Sequence, residues 1–437
     1  MNFEKLFALA KEKGIESIQV YYAGGTNFDI EVLKGSVEKY TIADSAKLTV
    51  KGIYNGKMGR VSTEVINEDV FDFIVDSIIA SAKAIDSEDE VFIYEGDKEY
   101  TKVEGLFNKE LQEVPAAQKI EDTKRFEKLV MEQDERIKMV QAFYGEGTTK
   151  VSIQNSKGLN LTKEVNNSAL GAFIIASDGK DQRTTYEYKL TNDYNEFNLE
   201  EMAKRGAEKA CAQLGAAPVE SGEYEILLEN SASCSLLAPH VTMFSAESVQ
   251  KNVSLLKGKV GQVIGNELIT LVDDPFKKNS AKSGSFDDEG VATKYKELIQ
   301  KGTLTGYLHN LKTAKKDNTG STGNGFLNGI STTNFYFLEG TTEYDEAVKS
   351  MKKGLIITDL AGTHAGCNAV SGDFSLQASG FLVENGEIVR PVALITVAGN
   401  YLKLLQEVTH VCNDLYFNFG FVGSPSLKIK SLQVSGK

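Results

Sequence analysis

The sequence predicts an α+β fold: an N-terminal antiparallel sheet with flanking helices, then a β-rich C-terminal domain. Three observations carry this. Alternating apolar runs are joined by Asn55-Gly56 and Asp178-Gly179, dipeptides that tolerate the positive φ of tight hairpins. Segments of helical period flank those runs. The second half is rich in glycine and in short apolar runs. Strands met in hairpins, with helices at their flanks, argue against a doubly wound parallel sheet.

Residues 3–13 place Phe3, Leu6, Phe7 and Ala10 at helical spacing, and Gly14 closes that helix. Alternation follows at Ile18, Val20 and Tyr22, at Phe28, Ile30 and Val32, and at Leu48 and Val50 before Tyr54, forming a meander. Residues 68–84 return to helical period, with Asn67 as N-cap and Glu68 and Asp69 at the positive helix end. The polar stretch from Glu88 to Gln118, which holds Pro115, reads as a linker or a long surface excursion. The pattern then repeats. A helix over 119–135 precedes strands at 138–144, 150–155, 168–176 and 184–190. Asn198 and Glu201 form a capping box that opens a helix over 199–214, and Gly215 ends it. The break from Ala216-Ala217-Pro218 to Ser221-Gly222 sets the domain boundary. Domains at 1–217, divisible near 88–118, and at 218–437 are expected. The second holds strands at 354–359, 380–384 and 391–398, and helices at 342–352 and 399–409.

Composition narrows the function classes. A chain of 437 residues, 41% hydrophobic and 25% charged, buries a real core. No apolar run reaches the ~18 residues of a membrane span. The start, Met1-Asn2-Phe3-Glu4-Lys5, has no basic region before an apolar one, so no secretory signal is expected. A net charge of −13 gives no basic footprint for direct nucleic-acid binding. Cys211, Cys234, Cys367 and Cys412 are far apart with no C-x-x-C pair, which fits a reducing cytoplasm. Histidine chemistry must use His240, His309, His364 or His410.

The acidic run Asp287-Asp288-Glu289-Gly290 either holds a cation or a substrate amine, or caps a helix over 293–301. The loop Gly320-Ser321-Thr322-Gly323-Asn324-Gly325 lacks G-x-x-x-x-G-K-[ST] and is no P-loop. Its backbone N–H groups could take a peptide carbonyl, or the loop could be flexible. His364-Ala365-Gly366-Cys367 is half of a soft-metal site or a tight turn with a small buried thiol. No G-x-S-x-G elbow is present.

Taken in order, these segments with Asp273-Asp274-Pro275, Gly302 to Leu308, Ser371-Gly372-Asp373-Phe374 and Glu384 to Glu387 resemble the C-terminal half of the TldD/TldE (PmbA) family of metallopeptidase-related proteins. Zinc-bearing TldD-type members carry H-E-x-x-x-H on a helix. Two imidazoles bind zinc there, and the carboxylate takes a proton from the bound water. With His240 aligned to the first histidine, Val241 stands at the glutamate and Ser245 at the second histidine. The family's third ligand is a cysteine inserted after a G-N-D-L-like motif. Here Cys412-Asn413-Asp414-Leu415 runs directly through Tyr416 to Gly420 and on to Ser424-Pro425, without that insertion. The resemblance therefore implies a TldE-type subunit with no catalytic residues of its own and no expected cofactor. Zinc enters only if His240, His364 and Cys367 form a diverged site in a homodimeric peptidase. The resemblance further implies a TldD-type partner subunit or a homodimer, a peptide or unfolded-protein substrate, and a cleft lined by Asp287, Asp288, Glu289, Asn324 and Asp373. A regulatory, non-enzymatic protein is the remaining alternative. The family's label, modulator of DNA gyrase, finds no support in the charge.

Overall fold

The computed structural model of the chain describes residues 3–86 and 91–437. Met1, Asn2 and residues 87–90 lie outside the described residues, and with them the start of the polar stretch, 88–90. The first half uses one helix–meander–helix unit twice. In the first copy α1 (Glu4–Glu12) leads into β1 (Ser17–Leu33), β2 (Ser36–Tyr54) and β3 (Lys57–Thr63), and α2 (Phe71–Lys83) follows. After the short α3 (Lys109–Glu113), the second copy runs α4 (Ala116–Gln133), β4 (Ile137–Asn155), β5 (Asn160–Ser177), β6 (Gln182–Thr191) and α5 (Leu199–Ala212). Antiparallel pairing of β1 with β4 fuses the copies into one six-stranded sheet of order β3-β2-β1-β4-β5-β6.

Period-2 alternation explains how one strand serves two cores. Ile18 and Val20 of β1 pack with α1 and α2, while Phe28, Ile30 and Val32 further along pack with α4 and α5. The separate alternating runs expected from sequence are thus parts of single long strands. Between them lies Gly25, where a Cβ would stand 1.9 Å from the carbonyl oxygen of Thr148. The glycine marks a close approach of two strands, not a chain turn. Asn198 accepts from the N–H of Glu201 at 3.2 Å and opens α5 as an N-cap, but the reciprocal half of the expected capping box is missing, because the N–H of Asn198 goes to the carbonyl of Glu196 at 3.1 Å.

The second half begins with β7 (Gly222–Leu228), α6 (Asn230–Leu237), a 3₁₀ stretch over Ala238–Phe244, α7 (Ala246–Gln250), β8 (Leu271–Asp274), β9 (Lys296–Gln300) and β10 (Thr303–Leu304). It continues through α8 (Leu311–Lys316), β11 (Gly325–Phe326), β12 (Gly329–Ile330), β13 (Asn334–Phe337), α9 (Tyr344–Lys349) and β14 (Lys353–Ala361). Then come α10 (Thr363–Gly366), β15 (Asp373–Glu384), β16 (Glu387–Asn400), α11 (Tyr401–Gln406), β17 (Val408–Val411), β18 (Tyr416–Phe417), β19 (Val422–Ser424) and β20 (Leu427–Ser435). One sheet, of order β16-β15-β14-β7-β20-β17, curls until β16 also meets β20. A second, β10-β9-β8-β13-β19-β18, shares its apolar core: Ile226, Leu355 and Val397 join Leu271, Ile299 and Phe335.

The helix expected over 293–301 is a correction. Residues 296–300 form β9, where Leu271 pairs with Ile299. Leu298 and Ile299 fit either period over so short a run, and sheet pairing decides.

The face of the N-terminal sheet away from its helices receives the second half. Phe286 inserts among Tyr21, Val151, Ile153 and Leu159. The described part of the polar stretch packs there too, with Ile93 buried. Tyr100 donates to the carbonyl of Gly290 at 2.8 Å, and Asp97 accepts from the N–H of Ala292 at 2.7 Å.

Candidate functional site

The candidate residues fall into two separate constellations. The first lies where the halves meet. Asp287 is fully buried, and its carboxylate takes three backbone N–H groups, from Glu289 at 3.0 Å, Val291 at 2.9 Å and Gly325 at 2.8 Å. Burial, with Glu289 beside it, raises its carboxyl to about 7 against the opposing pull of those N–H groups. Asp288 accepts from the N–H of Leu327 at 3.0 Å. Glu289 accepts from the N–H of Leu311 at 2.7 Å, the first residue of α8. So the acidic run does cap a helix, but α8 rather than one over 293–301. Lys51 and Lys163 come from the sheet to the same cluster, and burial pulls both ammonium groups down from their usual range.

Asn324 is equally buried and donates to Asp273 at 2.7 Å and to the carbonyl of Ser331 at 2.9 Å. Asp273 also holds the N–H and hydroxyl of Thr333, at 2.6 and 2.8 Å, and pairs with Lys296 at 3.0 Å. The Gly/Ser/Thr loop is therefore pinned rather than loose. Three of its N–H groups are spent inside the protein: Gly325 on Asp287, Gly323 on Ser321, Thr322 on the carbonyl of His309.

The second constellation centres on His240. Its ring is wholly buried and stacks on Tyr401, centroids 4.1 Å apart and planes within 3°. Nδ1 lies 2.7 Å from the carbonyl oxygen of Leu236, which can only accept, so Nδ1 carries the hydrogen and Nε2 presents a lone pair. Burial pushes the imidazole pKa down, so it is neutral near pH 7. Nε2 and the Tyr401 hydroxyl are both buried without a hydrogen-bond partner among the described residues. Asp373 is exposed and accepts from Asn400 at 2.9 Å; Asn400 caps α11, whose first residue is Tyr401. The carbonyl of Gly372 accepts from the N–H of Tyr401 at 2.7 Å. The Ser371-Gly372-Asp373-Phe374 segment thus positions Tyr401 against His240. The thiols of Cys234 and Cys367, both pushed up by burial and so uncharged near pH 7, lie in the neighbourhood of Tyr401.

The rest of a zinc site does not assemble here. Val241 packs on the core, and Ser245 stands at the extended bend between the 3₁₀ stretch and α7. His364 is exposed on α10, while Cys367 is half-buried, its thiol pKa raised by burial. Among the described residues no three His, Cys, Asp or Glu side chains gather as a metal would require. Cys412 is buried among Ala347, Met351 and Ile356, and burial lifts its thiol to about 12. In its motif Asp414 fastens Ser426, taking the N–H at 2.8 Å and the hydroxyl at 2.6 Å. The stretch after it is a tight hairpin: Tyr416 pairs with Ser424 and Phe417 with Gly423. Phe419 at its tip stacks on Tyr188 of β6, centroids 3.9 Å apart. Sequence reasoning missed Tyr401 and Tyr188. Their only local signal is aromatic character, which a core residue shares.

Two family models match this chain. The C-terminal domain of the PmbA/TldA metallopeptidases matches residues 221–436, and their central domain matches residues 109–214. A metalloprotease of Methanocaldococcus jannaschii is 24% identical over 97% of this chain and 95% of its own length. A Thermotoga maritima protein, whose crystal structure is described as that of a candidate modulator of DNA gyrase, is 34% identical with a TM-score of 0.93, covering 99% of both chains. TldE from Thermococcus kodakarensis has the same fold, with a TM-score of 0.91 at 24% identity over 99% of this chain and all of that one.

Proposed function

Because the chain belongs to the TldD/TldE (PmbA) family of metallopeptidase-related proteins, we propose that it is a TldE-type subunit that holds no zinc. It forms part of the wall of a peptide-binding chamber in the cytoplasm, and a TldD-type partner supplies the metal and the reaction. The observation that carries this reading is the state of His240. A zinc ligand needs an accessible lone pair and companions. Here Nε2 is sealed in the core under Tyr401, a valine follows it, and the place of the cysteine insertion is an aromatic hairpin. These residues do not fit zinc. What the chain does offer is a rigid framework, two halves locked through Phe286 and the Asp287 cluster, on which a partner's site can rest.

The test compares the purified protein alone with the protein co-expressed with an H-E-x-x-x-H-bearing relative. Expected are no stoichiometric zinc and no peptide cleavage alone, and both in the complex. Stoichiometric zinc with cleavage by the protein alone overturns the reading. The diverged homodimeric enzyme requires His240, His364 and Cys367 together, and an exposed His364 with a buried His240 does not support it. In that alternative His364→Ala abolishes zinc binding; on the present reading it leaves metal content unchanged.

A further inference from the structure

The two copies within the N-terminal sheet act as each other's control. The pair Tyr22 and Leu48 of the first copy matches Tyr144 and Leu170 of the second. Counting back from Leu48 and Leu170, Tyr40 matches Thr162 and Ile42 matches Glu164. All four side chains are exposed. The second copy carries what water tolerates, whereas the first carries Tyr40 and Ile42, 50% and 59% exposed, with Val37 at 38%. By register these three share the face of Phe28, Ile30 and Val32, and Tyr40 touches Phe28 edge-on at 5.4 Å. The chain exposes an apolar stripe at positions where its own duplicate does not.

The same stretch is an open strand edge. β3 pairs with Leu48–Tyr54 only, which leaves 36–47 bonded to β1 on one side alone. The matching stretch of β5 is likewise beyond the reach of β6. It is closed by other means. Asn166 donates to the carbonyl of Leu106 at 3.0 Å and exchanges side-chain bonds with Asn108, and Lys163 lies over the Phe286 ring. The β2 edge has no such cover among the described residues.

At the turn where β2 begins, a groove of about 560 Å³ opens between Lys34-Gly35, α4 and the start of β4. Its lining has an apolar floor that includes Met131 and Met139, and five basic side chains against two carboxylates. Among the described residues Lys124 and Lys128 are engaged by exposed neighbours on their own helix, Glu121 at 3.4 Å and Glu132 at 3.7 Å, and Arg125 pairs with Glu200 of α5, so Lys34 and Lys138 leave the groove net positive. A net positive groove on a chain of net charge −13 is a local reversal of sign. An isologous contact would set that positive patch against itself, so a second copy is not the occupant that charge favours.

We propose that the β2 edge and this groove form one docking surface for an extended segment of a partner polypeptide, with apolar side chains at alternate positions and an acidic C-terminal end. Antiparallel addition to β2 runs the added strand toward residue 36, so its C-terminal end enters the groove. Its apolar side chains cover Val37, Tyr40 and Ile42, and its carboxylates meet Lys34, Lys124, Lys128 and Lys138. This surface is independent of the zinc reading.

The probe is a fluorescent nine-residue peptide, three Thr-Val repeats followed by three glutamates, titrated by anisotropy into the full-length protein. The control ends in three lysines. Expected is saturable binding of the acidic peptide that weakens at least tenfold on raising the salt, and no saturable binding of the lysine peptide. K124E with K128E, and separately Y40T with I42E (the residues of the duplicate), each weaken binding at least tenfold while the melting temperature stays unchanged. Absence of saturable binding overturns the proposal, as does equal binding of the lysine peptide or undiminished binding by either double variant.

Discussion

At the residue scale, two buried side chains, Tyr401 and Asp287, set clear expectations. The Tyr401 hydroxyl is sealed without a partner among the described residues, so Tyr401→Phe removes an unsatisfied polar group at almost no cost in packing. Stability in urea should stay level or rise by about 1 kcal/mol, whereas Tyr401→Ala should lose roughly 3–5 kcal/mol by leaving His240 over a cavity. Asp287 is held protonated to about 7 in the folded chain, well above its unfolded value. The native state then binds more protons than the unfolded state between about pH 4 and 7. Its contribution therefore falls as pH rises through that window and levels off above it. Urea midpoints measured from pH 5 to 8 should show this decline, and Asp287→Asn should flatten it. His240 was legible as a lone histidine, and its loss of companions could be read from Val241 and Ser245. Its stacking partner could not, because Tyr401 arrives from a helix far along the chain.

At the element scale, period and turn chemistry revealed the repeated helix–meander–helix pattern, including the Asn198 cap. They failed where pairing outweighs pattern. β9 is strand because β8 lies beside it, and four or five residues do not distinguish the periods. For the acidic run, one of its two sequence readings is a cap on a helix over 293–301; that stretch holds β9, and Glu289 instead takes an N–H of α8, beyond β9 and β10. A local rule is also broken within β16. Leu394 has φ of 57° and is 66% exposed, a leucine in the left-handed region inside a bulge opposite Ser379. That conformation costs a branched side chain about 1–2 kcal/mol. Leu394→Asn, which tolerates the region and loses little packing, should raise the melting temperature by about 1 °C for the ~1 kcal/mol gained in a chain of this size. A lower melting temperature would mean that Leu394 is held there by contacts worth more than the strain.

At the scale of the whole molecule, the decisive contacts join residues distant in sequence, which is why no local pattern announced them. Phe286 reads as an ordinary aromatic beside an acidic run, yet it is the plug between halves. Phe286→Ala should cost roughly 3–5 kcal/mol. It should also expose the 91–108 stretch to limited proteolysis before the sheet itself unfolds, and cleavage unchanged from the parent protein would contradict this. The Tyr188–Phe419 stack is a second tie of the same long-range kind. A sequence can show that segments are apolar or acidic, but which of them meet is decided by topology.

The fusion of β1 with β4 has a consequence for synthesis. β1 ends at Leu33 and its second neighbour does not begin until Ile137, about a hundred residues later. At ~5–20 residues per second, the first meander waits on the order of ten seconds with one long strand edge unpaired. An edge like that invites other nascent chains. β1 carries its own protection, Gly24-Gly25 at its centre and the charges of Asp29 and Glu31 beyond them. Besides the close approach that Gly25 allows in the finished sheet, these residues disfavour stray pairing of the strand while its partner is still being made.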